Sequence, residues 1–349
     1  MSQQFRVLYR VFLLRVVDLE LLAAEGDPVK LLGQFAALFA AISLLFSLPL
    51  IVVGGNDLEF AHEAEHFLLA ATMLAIGLLA VLNWDAVFPD RKDALILSPL
   101  PIDARTIFLA KLSSLACPLG FAVLALNVFS GLLWPLYFAP SASPIALIRS
   151  FAAYWFTIFA ASVFMFFSVL TLHGLASHLL PYRLLMRASA WIQMAAFCIF
   201  LGTYILEPSL ESPQALAAPA NHPLLASLPS YWFWGLFQQL NGSSGSSHST
   251  YVWLASRAWI ALALVTAGAV TTLLLSYRRS LRKLIEEPSI SSSNRWLRMP
   301  ALPCDSLSLA ITTFCLCTLL RSRPHRVILS FYLGGGWLWF SSTSMFFHF

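Results

Sequence analysis

Between Leu112 and Tyr137 the chain runs without a single Asp, Glu, Lys or Arg. A segment that long and that apolar has one comfortable environment, because about 20 apolar residues cross the hydrocarbon of a bilayer. There the backbone must satisfy its own N–H and C=O groups, so the segment folds as a helix. Six further runs meet the same length rule: Leu31–Val53, Phe67–Phe88, Ala146–Leu172, Ala188–Leu206, Tyr251–Tyr277 and Val327–Phe347. The expected fold is all-α, a polytopic transmembrane helix bundle of about seven spans. Composition agrees, with 59% hydrophobic and 11% charged residues, far from the balance of a soluble domain.

Orientation follows from where the cations fall. With the N-terminus in the cytoplasm, 19 of the 21 Lys and Arg residues lie on the inner side, and only Arg149 and Arg257 lie toward the other. The expected location is an inner (plasma) membrane crossed several times. Ahead of the first span, within residues 1–30, Phe5, Leu8, Phe12, Val16 and Leu19 share one helical stripe while Arg6, Arg10 and Asp18 lie off it. That split predicts an amphipathic helix lying in the membrane interface. The remaining organisation is a bundle of six spans over 31–277, with an inner loop at 84–111 and an outer loop at 207–250. A basic inner segment at 278–326 and a seventh span at 327–349 follow. That last span closes without a hydrophilic tail, which points to a truncated frame, an eighth crossing at Asp305–Leu320, or a related second piece. The outer loop carries prolines, no Lys or Arg, a Gly/Ser tract, and the aromatic run Tyr231-Trp232-Phe233-Trp234, expected to form an interfacial belt.

The inner loop, WDAVFPDRKDALILSPLPIDARTIFLAK from Trp84 to Lys111, cannot enter hydrocarbon with Asp85, Asp90, Arg91, Lys92 and Asp93 in it. A short helical pattern from Asp93 is stopped by Pro99 and Pro101, which lack an N–H and restrict the residue before them. A second helix starts at Asp103, placed to cap it, and continues through Arg105, Phe108 and Lys111. The sequence therefore predicts a helix, a stiff elbow and a helix feeding the membrane.

The order of an acidic/basic cluster, Asp93-Ala94-Leu95-Ile96-Leu97, Ser98-Pro99-Leu100-Pro101 and then Phe108-Leu109-Ala110-Lys111 resembles the cytoplasmic loop of ABC-2-type exporter permeases. Leu95-Ile96-Leu97 stands where that family has a Leu-Leu pair. The resemblance covers about a tenth of the chain. It implies a coupling helix that docks on a separate ATPase subunit, an N-terminal connecting helix that passes motion on, and a dimer of permeases. The docking and coupling residues it implies are Asp85, Asp90, Arg91, Lys92, Asp93, Pro99, Pro101, Arg105 and Lys111. ATP and Mg would belong to the partner, with no cofactor in this chain. The chain is then not an enzyme by itself, and its partners are the ATPase, a second permease and membrane lipid.

The remaining motifs divide. No Gly-Lys dipeptide occurs, so the phosphate-cradling loop of a P-loop ATPase is absent. Nothing basic interleaves with aromatics to hold nucleic acid. Cys117, Cys198, Cys304, Cys315 and Cys317 include no Cys-x-x-Cys, which supports neither a disulfide framework nor a thiolate zinc site. The N-terminus shows no cleavable leader pattern. Against the transporter stands His62-Glu63-Ala64-Glu65-His66. Such a pattern on a helix puts two imidazoles one turn apart for Zn²⁺, with Glu63 to activate water. Glu65 stands where zinc peptidases keep an uncharged residue, and no third ligand is evident. Three readings thus compete: an exporter permease, an outer-face zinc metallopeptidase, and a non-enzymatic membrane scaffold.

Overall fold

Long apolar runs become long helices in the computed structural model, which describes residues 3–17, 28–53, 58–83, 103–139, 143–180, 182–208, 210–242 and 248–286, together with 311, 312, 314, 315 and 332. Among these residues every regular element is helical. The chain enters as α1 (Gln3–Val17), α2 (Pro28–Val53) and α3 (Leu58–Leu82). It resumes as α4 (Ala104–Leu126), α5 (Ser130–Phe138) and α6 (Pro144–Leu179). After α7 (Tyr182–Ile205) come the short helices α8 (Pro213–Ala217), a 3₁₀ turn at Pro219–Asn221, α9 (His222–Ser227) and α10 (Pro229–Asn241). The 39-residue α11 (His248–Glu286) closes the described part.

Four stretches are long and apolar enough to cross a membrane: His62–Leu82, Leu109–Leu126, Pro144–Leu179 and His248–Thr272. That is the signature of a membrane protein. α2 and α7 follow two further expected runs, with shorter apolar portions at Gly33–Leu45 and Ile192–Ile205. The seventh run, apart from Tyr332, lies outside the described residues, as does Asp305–Leu320 apart from 311, 312, 314 and 315, which are helical. Ile145, Ile148, Ile260 and Leu264 are 59–81% exposed on α6 and α11. Apolar surface on that scale needs a covering medium.

The common core is one cluster contributed by α3, α4, α5, α6, α10 and α11, including Met73, Ile76, Trp134, Ile158 and Phe237. Two sequence expectations change. The run Leu112–Tyr137 is not one helix; it breaks between Leu126 and Ser130. Asn127 explains the break, since its amide donates to Thr72 Oγ1 (3.2 Å) and the Val123 carbonyl (3.0 Å) and receives the Tyr154 hydroxyl (3.1 Å). An amide side chain that competes with the backbone is a helix breaker. Ser43 of α2 then accepts the Phe129 and Ser130 N–H groups (3.1 and 3.3 Å), which satisfies donors that the start of α5 would otherwise leave unpaired.

The second change concerns residues 207–250, expected as an outer loop. Most of the stretch to Gly242 folds into α8, the 3₁₀ turn, α9 and α10. Pro213, Pro219, Pro223 and Pro229 sit at the first or second positions of these helices, where a missing N–H costs nothing. α10 ends on Gly242, whose φ of 80° is left-handed and whose N–H reaches the Gln238 and Gln239 carbonyls (3.2 Å each). Most of the Gly/Ser tract, 243–247, lies outside the described residues.

Candidate functional site

Two junctions bury charge, one at each end of the candidate spans. The first joins α1 to the beginning of α4. Leu8 and Phe12 of α1 pack on Ile107 and Ala110 of α4, with Phe5 and Tyr9 alongside. Arg6 and Arg10 stay exposed, as the amphipathic stripe predicts; the side chains of Val16 and Leu19 are outside the described set. Lys111 is 7% exposed and holds its ammonium 5.6 Å from the Phe12 ring centroid, a cation–π geometry. Asp103 stands at the N-cap with extended backbone, yet its side chain makes no capping hydrogen bond; the expected cap is a position without its bond. Arg105 lies in the first turn of α4, its side chain not described. Asp85, Asp90, Arg91, Lys92, Asp93, Pro99 and Pro101 lie outside the described residues.

The second junction forms where the first turns of α3 meet the 207–242 segment. Helical spacing turns Glu65 and His66 inward, 4% exposed each, and leaves Glu63 exposed. Glu65 Oε2 accepts from Trp234 Nε1 (3.2 Å) and Gln238 Nε2 (2.9 Å) of α10. His66 stacks on Tyr231 with ring centroids 4.1 Å apart. Its Nδ1 is 2.7 Å from Glu211 Oε1, and its Nε2 lies 3.5 Å from Glu207 Oε1 without a hydrogen bond. Glu207 also accepts from the Ser230 hydroxyl. Tyr231 shares its hydroxyl proton between the Pro208 carbonyl (2.6 Å) and Glu211 Oε1 (3.0 Å), and receives the Leu210 N–H (2.9 Å).

These contacts set the protonation of the segment's own groups. Burial pushes the Glu211 carboxyl up, but the hydrogen bond and charge of His66, with the Tyr231 hydroxyl, outweigh it and hold Glu211 below the ordinary carboxylate range. Burial and the nearby carboxylate push the Tyr231 phenol up, so it remains a donor. Glu65 Oε1 and Glu211 Oε2 have no hydrogen-bond partner among the described residues.

His62 and His66 are one turn apart as the H-E-x-x-H spacing requires, and both meet the edge of Trp234, with centroids 5.9 and 6.1 Å away. His66, however, already directs its nitrogens at two carboxylates. Among the described residues, no three His, Cys, Asp or Glu side chains gather in an arrangement that could hold a metal ion. The aromatic run is likewise not an exposed belt: Tyr231, Phe233 and Trp234 are 0% exposed, forming the inner face of α10. Glu207, Glu211 and Gln238 were not singled out from sequence, and Tyr231 and Trp234 only as members of the expected belt. The available signal was charge balance, since a stretch with two Glu residues and no Lys or Arg must find cations elsewhere in the fold.

The two arginines assigned to the same side as this segment both bind it. Arg149 Nε donates to the Leu240 carbonyl (2.7 Å), and Arg257 to the Ala226 carbonyl (3.3 Å) while stacking 4.5 Å over Trp253. The early turns of α3, α6 and α11 therefore converge on one cap. No protein-family model, curated protein or solved structure matches the chain.

Proposed function

We propose that this chain is the membrane-spanning permease subunit of an ATP-driven, ABC-2-like exporter, crossing an inner membrane about seven times and working with a separate ATPase, as a dimer of permeases. The observation that carries the reading is the α1–α4 junction. The amphipathic helix lies directly against the helix that leaves the charged elbow, and Lys111 closes the contact over Phe12. A push on the 84–111 loop would reach α1 and α4 together, which is what a coupling loop needs. Support also comes from the convergence of α3, α6 and α11 at the cap: with the N-terminus inside, alternating spans would start all three from the outer side. Asp90, Arg91, Lys92 and Asp93 would form the docking charges, and Pro99 and Pro101 would keep the elbow stiff.

The test is purification in mild detergent from native membranes, with mass spectrometry of what accompanies the chain, repeated with Arg91→Glu and Asp93→Arg together. A P-loop ATPase that accompanies the native chain and leaves the double variant is the expected result. No ATPase in either preparation, with zinc retained stoichiometrically and lost on His62→Ala, would replace the permease by a metalloprotein.

A further inference from the structure

The cap is held to its neighbours in two physically different ways. Toward α6 and α11 the contacts are mainly rings and small residues, with the Arg149 and Arg257 bonds to the Leu240 and Ala226 carbonyls beside them. Phe233 meets Phe164 with centroids 5.3 Å apart, and Trp234 meets Tyr251 edge-on at 5.4 Å. Gly235 lies so close to α11 that a Cβ there would collide with the Leu254 side chain. Leu254, Ala255 and Ala258 beneath it are 0% exposed. Toward the first turns of α3, by contrast, the contacts are polar. Glu65 accepts from Trp234 and Gln238, and His66 is clasped by Glu211 and Glu207. Ala64 and Leu68 add apolar contact beside them, and the remaining apolar residues that α3 gives the core, Leu69, Met73 and Ile76, come further along the helix.

The two kinds of contact respond differently to separation. Rings and fitted small residues lose their burial outright when parted, with nothing in water to replace it. Hydrogen-bonded and charged groups exchange protein partners for water, so the net cost of opening such a bond is a small remainder of its strength. Glu65 Oε1 and Glu211 Oε2, which have no hydrogen-bond partner among the described residues, gain partners on hydration, which lowers the cost further. From this asymmetry we infer that the bundle opens at the α3–cap seam: the 207–242 cap moves with α6 and α11 as one body, and the Glu65/His66–Glu207/Glu211 cluster is the releasable clasp that holds it shut against α3. This rests on the exporter reading only for its purpose, namely where an outward path would open. The seam itself is a property of the isolated chain.

The experiment uses spin-label distances on the detergent-solubilised full chain, with the native cysteines replaced. One pair joins α3 to the cap, Glu63→Cys with Ser227→Cys; a second joins the cap to α11, Ser227→Cys with Ser256→Cys. All three positions are exposed. Releasing the clasp with Glu207→Gln and Glu211→Gln together, or separately with His66→Gln, should add a longer-distance population to the 63–227 pair and leave the 227–256 pair unchanged. The second pair also reports that the variants remain folded. Broadening of both pairs, a change confined to 227–256, or no change in either overturns the inference. Nucleotide and ATPase are absent throughout, so failure here is distinguishable from failure of the exporter reading, which the co-purification decides.

Discussion

The two buried-charge junctions solve the same problem by opposite means. At the α1–α4 end the buried Lys111 holds its ammonium over the Phe12 ring, next to the apolar cluster of Leu8, Phe12, Ile107 and Ala110. At the cap end Glu65, Glu207, Glu211 and His66 are brought together with Tyr231, Trp234 and Gln238 in a hydrogen-bonded cluster. The difference bears on tolerance. A buried lysine can lose its charge and keep the packing of its stem, whereas members of a buried charge cluster depend on one another.

The sharpest way to break the comparison is His66→Ala, which strips the imidazole from between Glu207 and Glu211. Removing one partner of a buried pair typically costs about 3–5 kcal/mol, and thermal unfolding in detergent should show the largest drop of any single change at either junction. A drop no larger than that of a surface substitution would mean that the clasp carries little. Trp234→Ala comes next, about 3 kcal/mol or more from the lost ring, with the donor to Glu65 lost as well; limited proteolysis between α9 and α10 should report the unseated cap.

Acid should act on the cap end first. Because Glu211 is held below the ordinary carboxylate range, its contribution is complete above the unfolded-state pKa, about 4.3 for Glu. That contribution is lost as the pH falls through the lower folded-state value. Tryptophan fluorescence of the native chain should therefore show acid loosening near and below the ordinary carboxylate range, and Glu211→Gln should flatten that limb. An unchanged acid limb in the variant would remove Glu211 from the explanation. The smallest effect is expected at the α1–α4 junction: Lys111→Met keeps an unbranched apolar stem against Phe12 and should lower thermal stability less than either cap substitution. A loss comparable to that of His66→Ala would show that the two junctions are not opposites.

What the sequence made legible tracks what periodicity and length can encode. Long, predominantly apolar runs became α2, α3, α6, α7 and α11, and the α1 stripe buried Leu8 and Phe12 while leaving Arg6 and Arg10 wet. The cap was not legible, because Pro213, Pro219, Pro223 and Pro229 stop a helix in one context and start one in another. The aromatic run suffered a similar ambiguity. Composition suits Tyr231 and Trp234 equally to a membrane interface and to a packed core, and only the approach of α11 at Gly235 decides between them. The break at Asn127 depended on partners in α3 and α6, which no local pattern specifies. The cluster itself hid inside a zinc-like spacing, where Glu65, the residue that spoiled the motif, proved to be an anchor for α10.

The claim that matters most is that the 84–111 loop meets an ATPase. A photo-crosslinking amino acid placed at Lys92, activated in native membranes and followed by mass spectrometry of the adduct, tests it at the proposed surface itself. The predicted result is a covalent product with a nucleotide-binding P-loop subunit that disappears when Arg91→Glu and Asp93→Arg are added. Adducts with lipid or with this chain alone, and none with a nucleotide-binding protein, would contradict it.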